Sequence, residues 1–162
     1  MLCAWAGLVM DNMPEVERHT QAAAVFLDAY RDAPSGSKER ALFGQLALIR
    51  GCQYCLLGDV ERAQDAVMEA LSSLSPKQVL YKGASVCLAF CYYVQGDTDK
   101  AQRFFEENAH ISQTKYNLMI PLFATLGLAR CHLLRGELDI AAQIYNRALA
   151  ECAALGWQDV PV

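Results

Sequence analysis

Three copies of one six-residue phrase set the terms for any fold of this chain. They are Gly58-Asp59-Val60-Glu61-Arg62-Ala63, Gly96-Asp97-Thr98-Asp99-Lys100-Ala101 and Gly136-Glu137-Leu138-Asp139-Ile140-Ala141. The glycines are 38 and then 40 residues apart. Self-similarity at that period means stacked repeats. The phrase has the chemistry of a helix–turn–helix joint. Glycine ends one helix because it takes the left-handed conformation without steric cost. The acid after it can cap the next helix, and the acid two residues further on favours that helix's positive N-terminus. The alanine is small enough for two helices to come close.

The repeat extends to both sides of the phrase. Seven residues before each glycine stands a small residue: Gly51, Ala89, Ala129. Four before stands a ring: Tyr54, Tyr92, His132. Nine after come Val67, Phe105 and Tyr145, and twelve after come Ala70, Asn108 and Ala148. Small residues facing large ones suit a close antiparallel helix pair. Asn108 breaks the pattern and reads as a capping or loop residue, with its helix ending early.

Residues 1–10 read as the end of a helix, and Asp11 to Glu17 as a degenerate joint with Asp11 in place of glycine. The helix after it, about 14–30, carries Val16, Ala23, Phe26, Leu27 and Tyr30 on its apolar side. Arg31 to Ser37 (RDAPSGS) is the clearest loop. It takes up the excess of the 47 residues between Asp11 and Gly58. Ser37 caps a helix that runs to about Leu57 and carries Leu42, Leu46, Ile49, Leu56 and Leu57; its partner spans about 59–74. Pro76 belongs inside the first turn of the next helix, which ends at Gln95. Its partner runs from Asp97 to about Ser112. The last pair starts near Lys115, so Pro121 requires either a later start or a kink. The final helix, about 137–155, stops at Gly156. The expected fold is all-α: one domain over 1–162, an α-α superhelix of about four pairs (1–30, 38–74, 76–112, 115–155). A solenoid needs polar caps at its ends. The apolar start and finish of this chain therefore read as those of a fragment of a longer protein, whose cut faces allow self-association.

Composition narrows the function classes. The formal net charge is −4 and no basic cluster appears, so direct contact with nucleic acid is not expected. The longest uncharged run, Tyr116 to Ala129, is 14 residues, too short to span a bilayer. Residues 1–10 lack the basic flank of a signal peptide. Seven cysteines, most at apolar helical spacings, point to a reducing, cytoplasmic setting.

No residue order suggests a catalytic triad, and no enzyme activity is expected. His19, His110 and His132 fall on different helices; His132 replaces the tyrosine of the other repeats and reads as a packing residue. Cys52 and Cys55 have CxxC spacing, and Cys87 and Cys91 are four apart on one helical face. A redox CxxC opens a helix, where the dipole favours thiolate. Cys52/Cys55 lie near a helix C-terminus, where it opposes thiolate. The preferred reading is small apolar packing, with no metal site. The paired acids of the joints read as caps.

One face remains for recognition. Three, six, ten and thirteen residues before each turn glycine stand Cys55, Cys52, Leu48, Gln45; then Tyr93, Phe90, Val86, Gly83; then Leu133, Arg130, Leu126, Phe123. They form one stripe along the first helix of each pair. The expected binding groove is Gln45, Cys52, Phe90, Tyr93, Phe123 and Arg130. Arg130 would meet an anionic group of an apolar or aromatic effector, or of a partner helix. Packing between neighbouring repeats is the competing role for these residues.

The phrase G-[DE]-x-[DE]-x-A with its flanking small and aromatic residues resembles the tetratricopeptide repeat, whose right-handed solenoid the fold would share. The 38–40-residue period is wider than that family's 34. It resembles the repeats in the C-terminal sensor region of MalT-type, LuxR-family ATP-dependent transcription activators. Ala4-Trp5-Ala6-Gly7-Leu8-Val9-Met10-Asp11-Asn12 is similar to that group's "AW…GD" start, and Ala141 to Ala150 (AAQIYNRALA) to its second repeat helix. The resemblance implies a non-enzymatic module that senses a small-molecule effector or a protein partner. ATP would bind in a separate domain of the parent, because no GxxxxGK[ST] loop occurs here and no cofactor is expected in this fragment. The alternative is a general adaptor that binds a peptide or helix and has no link to transcription.

Overall fold

The computed structural model describes residues 12–34, 36–109 and 119–154. Among them 84% are helical, in seven helices, and no strand occurs. The helices are α1 (Met13–Leu27, continued by a 3-10 turn Asp28–Tyr30), α2 (Lys38–Leu56), α3 (Val60–Ser73), α4 (Val79–Val94), α5 (Thr98–Ala109), α6 (Met119–Leu134) and α7 (Leu138–Ala154). The chain falls into two compact units, Met1–Cys91 and Tyr92–Val162. In the first, α1 and α3 pack on α2; in the second, α5 and α7 pack on α6. No helix among the described residues is long and apolar enough to cross a membrane.

All three joints turn where the phrase requires and close the first helix by the same backbone bonds, but the acid caps the next helix only at Asp59 and Asp97; the longer Glu137 side chain reaches His132 instead. Gly58, Gly96 and Gly136 have φ of 78°, 83° and 75°. A side chain there would cost conformational energy that glycine does not. Each glycine N–H donates to the carbonyl three residues back, on Cys55, Tyr93 and Leu133. The next N–H, of Asp59, Asp97 or Glu137, donates to the carbonyl of the ring residue, Tyr54, Tyr92 or His132, at 2.9–3.0 Å. This pair of bonds closes the C-terminal end of each first helix. Asp59 then caps α3 by accepting from Arg62 N–H, and Asp97 accepts from Lys100 N–H. The Lys100 ammonium, hydrogen-bonded to Asp97, holds that carboxyl below its ordinary range. Ser37 caps α2 through Arg40 N–H at 3.1 Å, and 31–34 and 36–37 are non-helical as expected.

The small-against-large seams are present. The joint alanines Ala63, Ala101 and Ala141 are fully buried, as are Ala89 and Ala129. A Cβ added to Gly51 would stand 2.5 Å from a Val67 methyl across the α2–α3 hairpin. One added to Gly127 would stand 2.4 Å from the Phe105 ring, which lies on α5, in the hairpin before. Phe105 thus fills a notch in the neighbouring pair.

Several local expectations are corrected. In α1 the buried line is Val16, Thr20 and Ala24, while Phe26 and Tyr30 are exposed. An i, i+4, i+8 line fits one neighbouring helix, and the Thr20 hydroxyl satisfies itself on the Glu17 carbonyl at 3.0 Å. In α2, Leu46 and Ile49 are buried as expected, but Leu42, Leu56 and Leu57 are exposed. Phe43, Gly44, Ala47 and Leu48 are buried in their place, because α2 is covered on more than one side. Pro76 lies in a turn before α4, which begins at Val79; the Ser75–Gln78 bonds close that turn first. Pro121 sits in the first turn of α6, where its missing N–H costs nothing. Asn108 is helical and buried, its amide donating to the Phe104 carbonyl at 2.7 Å. It neither caps nor leaves the helix. The expected helix over 1–10, Asp11 as a joint, the start at Lys115, the end at Ser112 and the stop at Gly156 lie outside the described residues.

Candidate functional site

The stripe on the first helices meets two different environments. On α2, Leu48 is buried and Gln45, Cys52 and Cys55 are half-buried. Phe90 on α4 is half-buried within the first unit. In the second unit Tyr93 is half-buried, while on α6 Phe123 is 47% exposed, Leu133 is 42% exposed and Arg130 is exposed. Leu126 is half-buried between them. Phe123, Leu126, Arg130 and Leu133 form one i, i+3, i+7, i+10 line, apolar except for a single guanidinium.

What covers the α2 stripe is visible at its cysteines. Cys55 Sγ lies 3.6 Å from Cys87 Sγ and 3.8 Å from Cys91 Sγ. Cys52 also bears on Cys87. The −3/−6 face of α2 therefore receives the −5/−9 face of α4, the first helix of the next pair. Cys87 and Cys91 are buried; Cys52 and Cys55 retain partial access. With Cys55 as thiolate, the Cys87 and Cys91 thiols donate S–H to it, in that order of weight, and pull its pKa well below the thiol range. The Cys52 and Cys55 sulfurs, in that order, and burial raise the Cys87 thiol, and the Cys55 sulfur and burial raise the Cys91 thiol. The two donors to Cys55 stand more than 30 residues away in sequence and favour the thiolate by hydrogen bonding to it. Sequence spacing alone left Cys55, Cys87 and Cys91 as separate packing residues. The available signal was two cysteine pairs on successive first helices, which stacking sets side by side. Among the described residues no group of three or more His, Cys, Asp or Glu side chains is arranged to hold a metal ion.

The ring position of the joints is also more than packing. Arg62 lies 4.2 Å over the Tyr54 ring and donates to its hydroxyl at 2.8 Å. Lys100 lies 5.2 Å over Tyr92. In the third joint the corresponding residue is Ile140, and the ring is His132, which pairs with Glu137. Beside the first joint Arg50, Tyr54, Arg62, Asp65, Ala66 and Glu69 line an open pocket of about 320 Å³. Its charges are largely neutralised locally, Arg50 by Asp28, Arg62 by Asp59 and Glu69 by Arg31. It holds no concentrated charge of one sign.

No family model matches the chain, and no curated protein matches it. Among solved structures, the crystal structure of MamA protein is similar to it, with a TM-score of 0.52 at 15% identity, over 100% of this chain and 94% of that one. MamA is a tetratricopeptide-like helical repeat protein. This chain has a tetratricopeptide-like helical-repeat fold. The likeness agrees with the joints, whose bonds repeat three times, and at this identity it concerns the fold alone.

Proposed function

We propose that the chain is a non-enzymatic interaction module that takes a partner helix on the α6 stripe. The observation that carries this is the equivalence of α2 and α6. The face that receives another helix on α2 is open on α6, where Phe123 and Leu133 are exposed. A surface shaped to accept a helix at one repeat presents the same spacing of apolar anchors at another. Arg130 at its middle selects a partner helix with a carboxylate on its apolar side. Gln45, Cys52, Phe90 and Tyr93 belong to the same stripe at more covered positions and contribute less.

The finer reading is the sensor region of a MalT-type, LuxR-family regulator, supported by Ala4–Asn12 and Ala141–Ala150. In that setting the helix partner, or a small aromatic acid competing for Arg130, is the signal, and ATP belongs to another domain of a cytoplasmic parent. Calorimetric titration with amphipathic peptides that carry one acidic residue on the apolar face tests the surface. Phe123→Ala and Arg130→Ala each weaken binding about tenfold. Unchanged affinity in both removes the assignment. The parent reading frame tests the regulator: a phosphate loop upstream and a helix-turn-helix downstream support it, and a frame lacking both leaves a general adaptor.

A further inference from the structure

The cysteine cluster between α2 and α4 lies in a covered seam, away from the exposed α6 stripe. Its sulfurs are in contact across two helices, from positions 32 and 36 residues apart. They are unequally accessible: Cys55 is reached from solvent, while Cys87 and Cys91 are shielded. A thiol with partial access, in contact with buried thiols, has the layout of an attacking and a resolving pair.

We propose that Cys55 is a site of oxidation by small hydroperoxides, and that the product is a disulfide from Cys55 on α2 to Cys87 on α4. The steps balance. The Cys55 thiolate attacks hydrogen peroxide; an S–O bond forms, the O–O bond breaks, and the departing hydroxide takes a proton to leave as water. Sulfur has lost two electrons and peroxide has gained them. The Cys87 sulfur then attacks the sulfenic sulfur of Cys55; the S–S bond forms, the S–O bond breaks, and the hydroxyl leaves as water with the Cys87 proton. Once Cys55 is a neutral sulfenic acid, the thiolate that held the Cys87 proton in place is gone, so resolution becomes easier after the first step. Cys87, at 3.6 Å, is nearer than Cys91, at 3.8 Å. Burial protects Cys87 from attack by a second peroxide. The disulfide would tie the first helices of two successive pairs together within the first unit.

The whole chain is treated with a small excess of hydrogen peroxide, alkylated and digested with trypsin. Cleavage gives peptide 51–62, with Cys52 and Cys55, and peptide 83–100, with Cys87 and Cys91. The expected product is the two peptides joined, with fragmentation placing the bond at Cys55 and Cys87. Cys55→Ser and Cys87→Ser each reduce it at least ~10-fold, and Cys52→Ser and Cys91→Ser leave it. Far-UV circular dichroism checks that each variant folds. In the unsubstituted protein, a limiting amount of iodoacetamide labels Cys55 more than ~10-fold ahead of Cys52, a readout that needs no variant. Four results overturn the proposal: a link confined to 51–62, a joined product that survives Cys55→Ser, Cys55 driven to sulfinic acid without a link, or stoichiometric metal on the thiols in native mass spectra.

Discussion

Helices α2 and α6 occupy the same place in their repeats and carry the same register of residues before the turn, yet they live differently. The α2 stripe is folded against α4 through Cys55, and Leu48 beside it is buried. The α6 stripe leaves Phe123, Arg130 and Leu133 exposed. The notches on the two helices also differ. Gly51 on α2 accepts Val67 from its own hairpin, whereas Gly127 on α6 accepts the Phe105 ring from the hairpin before. Repeat position therefore says where a helix turns, while its neighbours decide whether a given face is seam or surface.

That comparison is sharpened most by removing the ring that fills the α6 notch. Phe105→Ala costs about 3–5 kcal/mol, read from urea unfolding, because a fully buried ring leaves a cavity. Phe123→Ala, four residues before Gly127 but on the exposed line, stays within about 0.5 kcal/mol. Equal losses from the two would mean that the α6 stripe is covered after all.

A smaller effect separates the two notches. Gly127→Ala sets a Cβ against a rigid ring and costs about 1–3 kcal/mol by thermal or urea unfolding. Gly51→Ala meets the end of a single valine side chain, and Val67→Ala in the same protein restores part of the loss. If Val67→Ala gives no relief, the close approach within the first hairpin is not what the glycine serves.

The smallest effect compares the joints themselves. Asp59→Ala removes a cap and costs about 1 kcal/mol. Glu137→Ala costs less, because that carboxylate reaches His132 at an exposed pair instead of capping α7, and exposed pairs contribute about 0–1 kcal/mol. A loss at Glu137 as large as that at Asp59 would show that the longer side chain caps as well as the shorter one.

The joints were legible because everything they need lies within ten residues of chain. Glycine supplies the left-handed turn, the aspartate after it supplies the cap at the first two joints, and the ring residue four before supplies the carbonyl that ends the helix. Local bonds of that kind are decided by residue type and spacing. Asn108 shows the limit of such reading. Its polarity suggested a helix end, but an amide can satisfy itself on the carbonyl four residues back and remain helical.

What the chain's own order of residues determined is an all-helical repeat with its bends at Gly58, Gly96 and Gly136. What only the packed molecule decided is which side of each helix is covered. Coverage depends on a partner tens of residues away, and no local rule carries that distance. Phe26 is therefore exposed although it is apolar, and Thr20 is buried although it is polar. By the same rule, Cys55 meets two thiols that stand 32 and 36 residues further along the chain.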